Sequence, residues 1–191
     1  MDINPNKPLD WLIKAYSEGA SFAAFDLETT GLECRRDHIV EIGAVKFDKK
    51  GIIARFSALI NPGIPMPEEA ARVNNISDEM LKGKPSLDRV MPDFLFFIRG
   101  AILAAHNAPF DCGFINEKLK DYPVEGENSL SNPVADTLVL SREAFPGLRH
   151  YSLQSLAAEL RIPAQKAHRA EDDAGICREI LIRCMETRAG S

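Results

Sequence analysis

Two carboxylates, Asp26 and Glu28, flank a single leucine in the stretch AAFDLETTGL, directly after the apolar run Phe22, Ala23, Ala24 and Phe25. In an extended strand, residues two apart project from one face with Cα atoms about 6.6–6.8 Å apart, so this pair converges above the end of a buried strand. Unpartnered buried carboxylates are costly. A strand running out into solvent would explain the pair alone, but further acids weigh against that. In AAHNAPFDCGFI, Asp111 falls in the first turn of an expected helix, where favourable interaction with the helix dipole is the plain alternative. In AHRAEDDAGICREILI, Asp172 and Asp173 stand early in the last expected helix. Asp173 shares a face with Ile176, Cys177 and Ile180, whereas Asp172 lies about 100° away and is expected to be more exposed.

Carboxylates gathered at one place repel each other unless a cation intervenes. Their oxygens suit Mg²⁺ or Mn²⁺, and open coordination positions suit a phosphate substrate. Two ions about 3.5–4 Å apart could activate a water and stabilise the leaving oxygen of an in-line displacement. Such chemistry needs a base. His168 lies five residues before Asp173, in the loop leading into the same helix. An imidazole with an ordinary pKa of about 6.5 suits the task, the plain alternative being a surface or capping histidine.

The elements that must position these residues follow from pattern. Leu9, Leu12, Ile13 and Tyr16 recur at helical spacing around Trp11, with Asp10 as an expected N-cap and Gly19 as a stop. Strands are expected at Ser21 to Leu27, His38 to Phe47 and Ile52 to Ile60, and their short turns imply antiparallel neighbours. NPGIPMP is a loop. Helices are expected at Ser77 to Leu81, Ser86 to Arg99, Pro109 to Lys120, Thr137 to Phe145 with Asp136 as a cap, Ser152 to Leu160, and Arg169 to Arg188. Two short strands, AILAAH and VAD, alternate with these helices. The fold class is therefore α/β: a mixed five-stranded sheet, three antiparallel strands then two parallel, with helices on both faces. Residues 1–20 form an N-terminal helical extension and 21–188 the main domain.

Bulk composition narrows the partners. The 191 residues, 45% apolar and 27% charged, fit one soluble domain. No apolar run approaches a membrane span, and the N-terminus lacks the pattern of a secretory signal, so the expectation is cytoplasmic with no membrane partner. Cys34, Cys112, Cys177 and Cys184 form no C-x-x-C pair, which speaks against structural zinc or a disulfide framework. With 23 Lys+Arg against 28 Asp+Glu, the net charge of −5 argues against coating long nucleic acid, though not against gripping a few nucleotides. From Leu148 to Arg169 the balance reverses. Arg149, Lys166 and Arg169 are candidates there for steering a strand, or plain surface.

These residues resemble the motifs of the DEDD superfamily of 3′→5′ exonucleases, histidine branch, on a ribonuclease H-like fold. The likeness is greatest to the group that includes the proofreading epsilon subunit of bacterial DNA polymerase III. FDLETTGL looks like the first motif, HNAPFD the second and HRAEDDA the third. The similarity extends from about Ser21 to Met185 through EIGAVKF, INPGIPMP, ADTLVLSREAFP and HYSLQSLAAEL. The resemblance implies that Asp26, Glu28, Asp111 and Asp173 bind two Mg²⁺ or Mn²⁺ ions and that His168 is the base. It also implies that Thr29, Thr30, Leu32, Asn107 and Phe110 border the terminal nucleotide.

Asn75-Ile76 stands where relatives often carry Gly-Ile, and the helix around Trp11 is outside the shared pattern. The chain ends 18 residues after Asp173, without the long tail by which the epsilon subunit grips its polymerase, so a polymerase partner is not expected. The expected activity is release of 5′-mononucleotides from 3′ ends of single-stranded or frayed DNA. An RNA-trimming enzyme of the same superfamily is the nearest alternative. A catalytically silent nucleic-acid-binding module would be indicated by a lost motif acid, and a small-molecule phosphatase by its product.

Overall fold

The computed structural model describes residues 8–124, 128–163 and 169–190. His168 and Lys166 lie outside the described residues. The elements run α1 (Pro8–Ser17), β1 (Phe22–Thr29), β2 (Ile39–Asp48), β3 (Gly51–Leu59), α2 (Glu68–Asn74), α3 (Asp78–Leu81), α4 (Leu87–Ile98), β4 (Ile102–Ala105), α5 (Ala108–Asp121), β5 (Val134–Asp136), α6 (Thr137–Ala144), α7 (Leu153–Glu159) and α8 (Ala170–Ala189).

The strands form one sheet in the order β3-β2-β1-β4-β5. β2 pairs antiparallel with both β1 and β3, whereas β4 pairs parallel with β1 and β5. This is the mixed sheet expected from the sequence. β1 is its centre, which is why Phe22 to Phe25 are buried on both faces. Alternation sorts the rest. Phe22 and Ala24 pack with Ile176, Ile180 and Cys184 of α8 and with Leu140 and Leu156 of α6 and α7. Ala23, Phe25 and Leu27 pack with Phe94 and Ile98 of α4 and with Phe114, Ile115 and Leu119 of α5. Continuing the period-2 alternation, Asp26 and Glu28 point to the α8 face.

α1 lays Leu9, Leu12 and Ala15 into the α8-side core, so its apolar stripe is covered within the chain. Its stop is as expected: Gly19 has a φ of 88°, and Ala20 N donates to Ala15 O. Asp10 is not the N-cap but sits inside the first turn, because the helix already includes Pro8. Asp136 does cap α6, accepting the Leu138 amide. The short α2, EEAARVN, had no counterpart in the sequence reading, since its apolar residues make no helical stripe. All four cysteines are free thiols, and no helix among the described residues is long and apolar enough to cross a membrane.

Candidate active site

The acids meet where β1 leaves the sheet. Asp26, Glu28 and Asp173 each place a carboxylate oxygen within 4.8 Å of the others. β1 contributes two by alternation, and α8 delivers the third because its first turn lies directly on β2. A Cβ at Gly43 would collide with the Ala170 carbonyl and the Glu171 nitrogen, so the glycine permits this approach. Gly43 is the cross-strand partner of Asp26. Asp173 is only 4% exposed, and Gln154 Nε2 of α7 donates to its Oδ1 at 2.7 Å.

Asp111 arrives from the other side of β1. β4 pairs with β1 only as far as Ala24↔Ala104. Beyond that point the Leu27 amide has no strand partner, and Asp111 Oδ1 accepts it at 3.2 Å. The turn that makes this possible is Asn107, with a φ of 68°, whose backbone amide donates to Asp136 Oδ1 at 3.1 Å. The same oxygen accepts Leu138 N, so Asp136 joins the start of α5 to the start of α6. Just before Asn107, His106 Nε2 donates to the Tyr151 carbonyl at 2.8 Å, and its Nδ1 lies 3.0 Å from the Thr137 hydroxyl. Burial holds this imidazole neutral by lowering its pKa.

The cluster favours protons when no cation is present. Burial, then the carboxylates of Asp111, Asp173, Glu28 and Glu41, push the Asp26 pKa well above the usual carboxylate range. Burial, then Asp173 and Glu41, raise Glu28 to about 8, with Arg169 opposing. Burial also raises Asp111, although the Leu27 amide favours its ionised form. A site of hard oxygen donors that holds its charge only at a cost is suited to a divalent cation. The thiol of nearby Cys177 is no rival ligand, since burial drives its pKa upward and keeps it protonated.

The sequence reading missed Glu41. It is the cross-strand partner of Glu28 and is 1% exposed. Arg169 binds it with Nη2 at 2.7 Å from Oε1 and Nε at 3.1 Å from Oε2. Its guanidinium is therefore paired with a buried acid of this chain, while about a third of the side chain stays exposed; Arg149 is exposed. The one available signal was an isolated acid within the apolar strand IVEIGAV.

The remaining candidates lie at the end of β1, in the loop after it and at the start of α5. Leu32 is 82% exposed, Asn107 is exposed and Phe110 is partly buried against Phe114 at 5.0 Å between ring centroids. Thr29 and Thr30 are buried, and their hydroxyls shape the loop: Thr29 Oγ1 donates to Gly31 O, and Thr30 Oγ1 accepts His38 N. Asp172 is more exposed than Asp173 and lines a separate cleft with Arg55, Ile162 and Pro163.

Residues 23–181 match the Exonuclease family model RNase_T. The chain is 47% identical over 174 residues to DNA polymerase III subunit epsilon of Treponema pallidum (strain Nichols), covering 90% of this chain and 79% of that protein. It is 41% identical over 165 residues to the PolC-type DNA polymerase III of Caldanaerobacter subterraneus subsp. tengcongensis, covering 86% of this chain but only 12% of that much longer protein. Among solved structures, exonuclease X in complex with 5′ overhanging duplex DNA superposes with a TM-score of 0.68 at 26% identity, covering 89% of this chain and 93% of that one.

Proposed function

This chain belongs to the exonuclease family, and on that premise we propose that its 3′→5′ exonuclease activity, of the DNA polymerase III epsilon type, runs through metal held by Asp26, Glu28, Asp111 and Asp173. The observation that carries this reading is the meeting of three of those carboxylates within 4.8 Å at the end of β1, with Asp111 joined to them through the Leu27 amide. Two Mg²⁺ or Mn²⁺ ions bound there would supply positive charge to the phosphate and lower the pKa of a water.

The chain's own residues do the rest. Gln154 fixes one oxygen of Asp173, and the fork of Arg169 on Glu41 holds the start of α8. His168, five residues before Asp173, accepts the proton of the attacking water. That reading is supported by its place in the third motif. The water oxygen bonds to phosphorus, the bond from phosphorus to the 3′ oxygen breaks, and a 5′-mononucleotide departs. Leu32 and Phe110 offer apolar surface to the terminal base, and Asn107 with the loop shaped by Thr29 and Thr30 borders the terminal nucleotide.

The substrate proposed is the 3′ end of a single-stranded or frayed DNA. A net charge of −5 provides no broad attraction for long duplexes, and freeing a paired end costs a few kcal/mol. Matched DNA and RNA strands, incubated with Mn²⁺ and analysed for products, test this. Stepwise release of deoxynucleoside 5′-monophosphates from the DNA strand is expected. Faster release from RNA would make the chain an RNA-trimming enzyme, and dephosphorylation of free nucleotides without strand shortening would make it a phosphatase.

A further inference from the structure

The geometry points to Glu41 and Arg169 as a positioning pair that sets the first turn of α8, and with it Asp173, against the acids of β1. Glu41 poses a puzzle that its burial makes sharper. A further carboxylate, 1% exposed, stands beside Glu28 in a region already crowded with negative charge, yet its oxygens are not among the three that converge. Its bonds explain its presence. Both oxygens accept from Arg169, and Oε2 also accepts the Ala170 backbone amide at 3.3 Å.

Glu41 therefore satisfies a first-turn N–H of α8 while gripping the residue at its N-cap position, whose own side chain makes no cap. Two residues along β2, on the same face, Gly43 provides the gap into which that turn settles. The cross-strand partners of these two residues are Glu28 and Asp26. β1 thus carries the acids, and β2 carries, directly opposite, the anchor and the seat for the helix that brings the third acid. Asp173 N donates to Arg169 O at 2.9 Å, so one helical turn links the anchor to that acid. By contrast, the Arg55–Glu171 pair, 3.2 Å apart at the surface, reaches the same turn but is exposed and worth little.

This inference rests on the reading that Asp173 holds metal. Its test compares wild type with Arg169→Lys, Glu41→Gln and the control Arg55→Gln. Three readouts are needed: kcat and KM on a short DNA strand, Mn²⁺ affinity by calorimetry, and hydrogen exchange of the first-turn amides of α8. Arg169→Lys keeps the charge and loses the fork. It should retain the fold and KM, lower kcat on the order of 10- to 100-fold, weaken Mn²⁺ binding and speed first-turn exchange. Arg55→Gln should leave all three unchanged.

Wild-type kcat and Mn²⁺ affinity in folded Arg169→Lys would overturn the positioning role. A lowered kcat with unchanged Mn²⁺ affinity and exchange would also overturn it, because Arg169 would then act on substrate. If Arg169→Lys fails to fold, Glu41→Gln carries the same expectations and the same refutation. A wild type without metal-dependent exonuclease activity would sink the functional reading, while exchange and Mn²⁺ binding would still report on the pair.

Discussion

Asp111 accepts the backbone amide of Leu27 at 3.2 Å, across 84 residues of chain. The acid does two jobs at once: it takes up a β1 amide on the side where β4 has stopped pairing, and it adds a carboxylate whose charge acts on Asp26. The two jobs can be separated. Asp111→Asn keeps an acceptor for Leu27 and loses the charge, so it should fold and lose more turnover than the about 10–100-fold typical of an outer metal partner. Asp111→Ala also strands a buried amide, at a cost of about 1–3 kcal/mol. Denaturant unfolding without metal should rank Asn above Ala in stability, with both variants inactive on a labelled strand.

Gln154 should matter to metal and not to fold. Its amide holds Asp173 Oδ1 at 2.7 Å, the kind of bond that orients a ligand without touching the ion. Gln154→Ala is expected to weaken Mn²⁺ binding by about 10–100-fold. Calorimetry checks this, and an unchanged affinity would mean that Asp173 is held adequately by α8 alone.

Legibility in the sequence followed the range of the interaction. Asp26 and Glu28 could be read because alternation is local to one strand, and Asp173 because helical spacing set it beside Ile176 and Ile180. The five strands and their sense followed from turn lengths and from the switch to alternating helices. Glu41 could not be read: its meaning depends on facing Glu28 across a register that slips between Glu28 and Thr29, and on an arginine 128 residues away. The same holds for Gln154, which looks like an ordinary polar residue of α7. Asp136 was legible as a cap, but its second bond, to Asn107 N, is a tertiary contact. Asp10 misled because an acid near a helix start fits the first turn as well as the cap.

The metal-free protein should lose stability as pH rises. Glu28 moves from its ordinary 4.5 to about 8 on folding, and Asp26 and Asp111 are also raised. The folded state therefore binds more protons than the unfolded state in that window, and the unfolding free energy falls with increasing pH. Mn²⁺ binds the ionised form, so its affinity should rise over the same window with release of protons. Melting curves in chelator across the window, for wild type and Glu28→Gln, test this. The variant should show a shallower decline, and equal slopes would remove Glu28 as a source.

Asp172 and Asp173 are adjacent, yet only Asp173 meets Asp26 and Glu28; Asp172 lines the cleft beside Arg55 and Pro163. Asp172→Asn should keep most of the turnover, whereas Asp173→Asn should lose it. Steady-state rates on one DNA strand decide the matter, and the reverse ranking would overturn the placement of α8.

A 5′-labelled single DNA strand, followed over time through a Mn²⁺ titration with wild type and Asp26→Asn, tests most directly whether these acids cut through bound ions. The expected result is a ladder shortening one nucleotide at a time from the 3′ end. It should appear only with divalent metal, vanish on chelation, and be absent in folded Asp26→Asn at every Mn²⁺ concentration. Shortening by wild type in chelator, loss of the 5′ label as the first product, or a wild-type ladder from folded Asp26→Asn would contradict it.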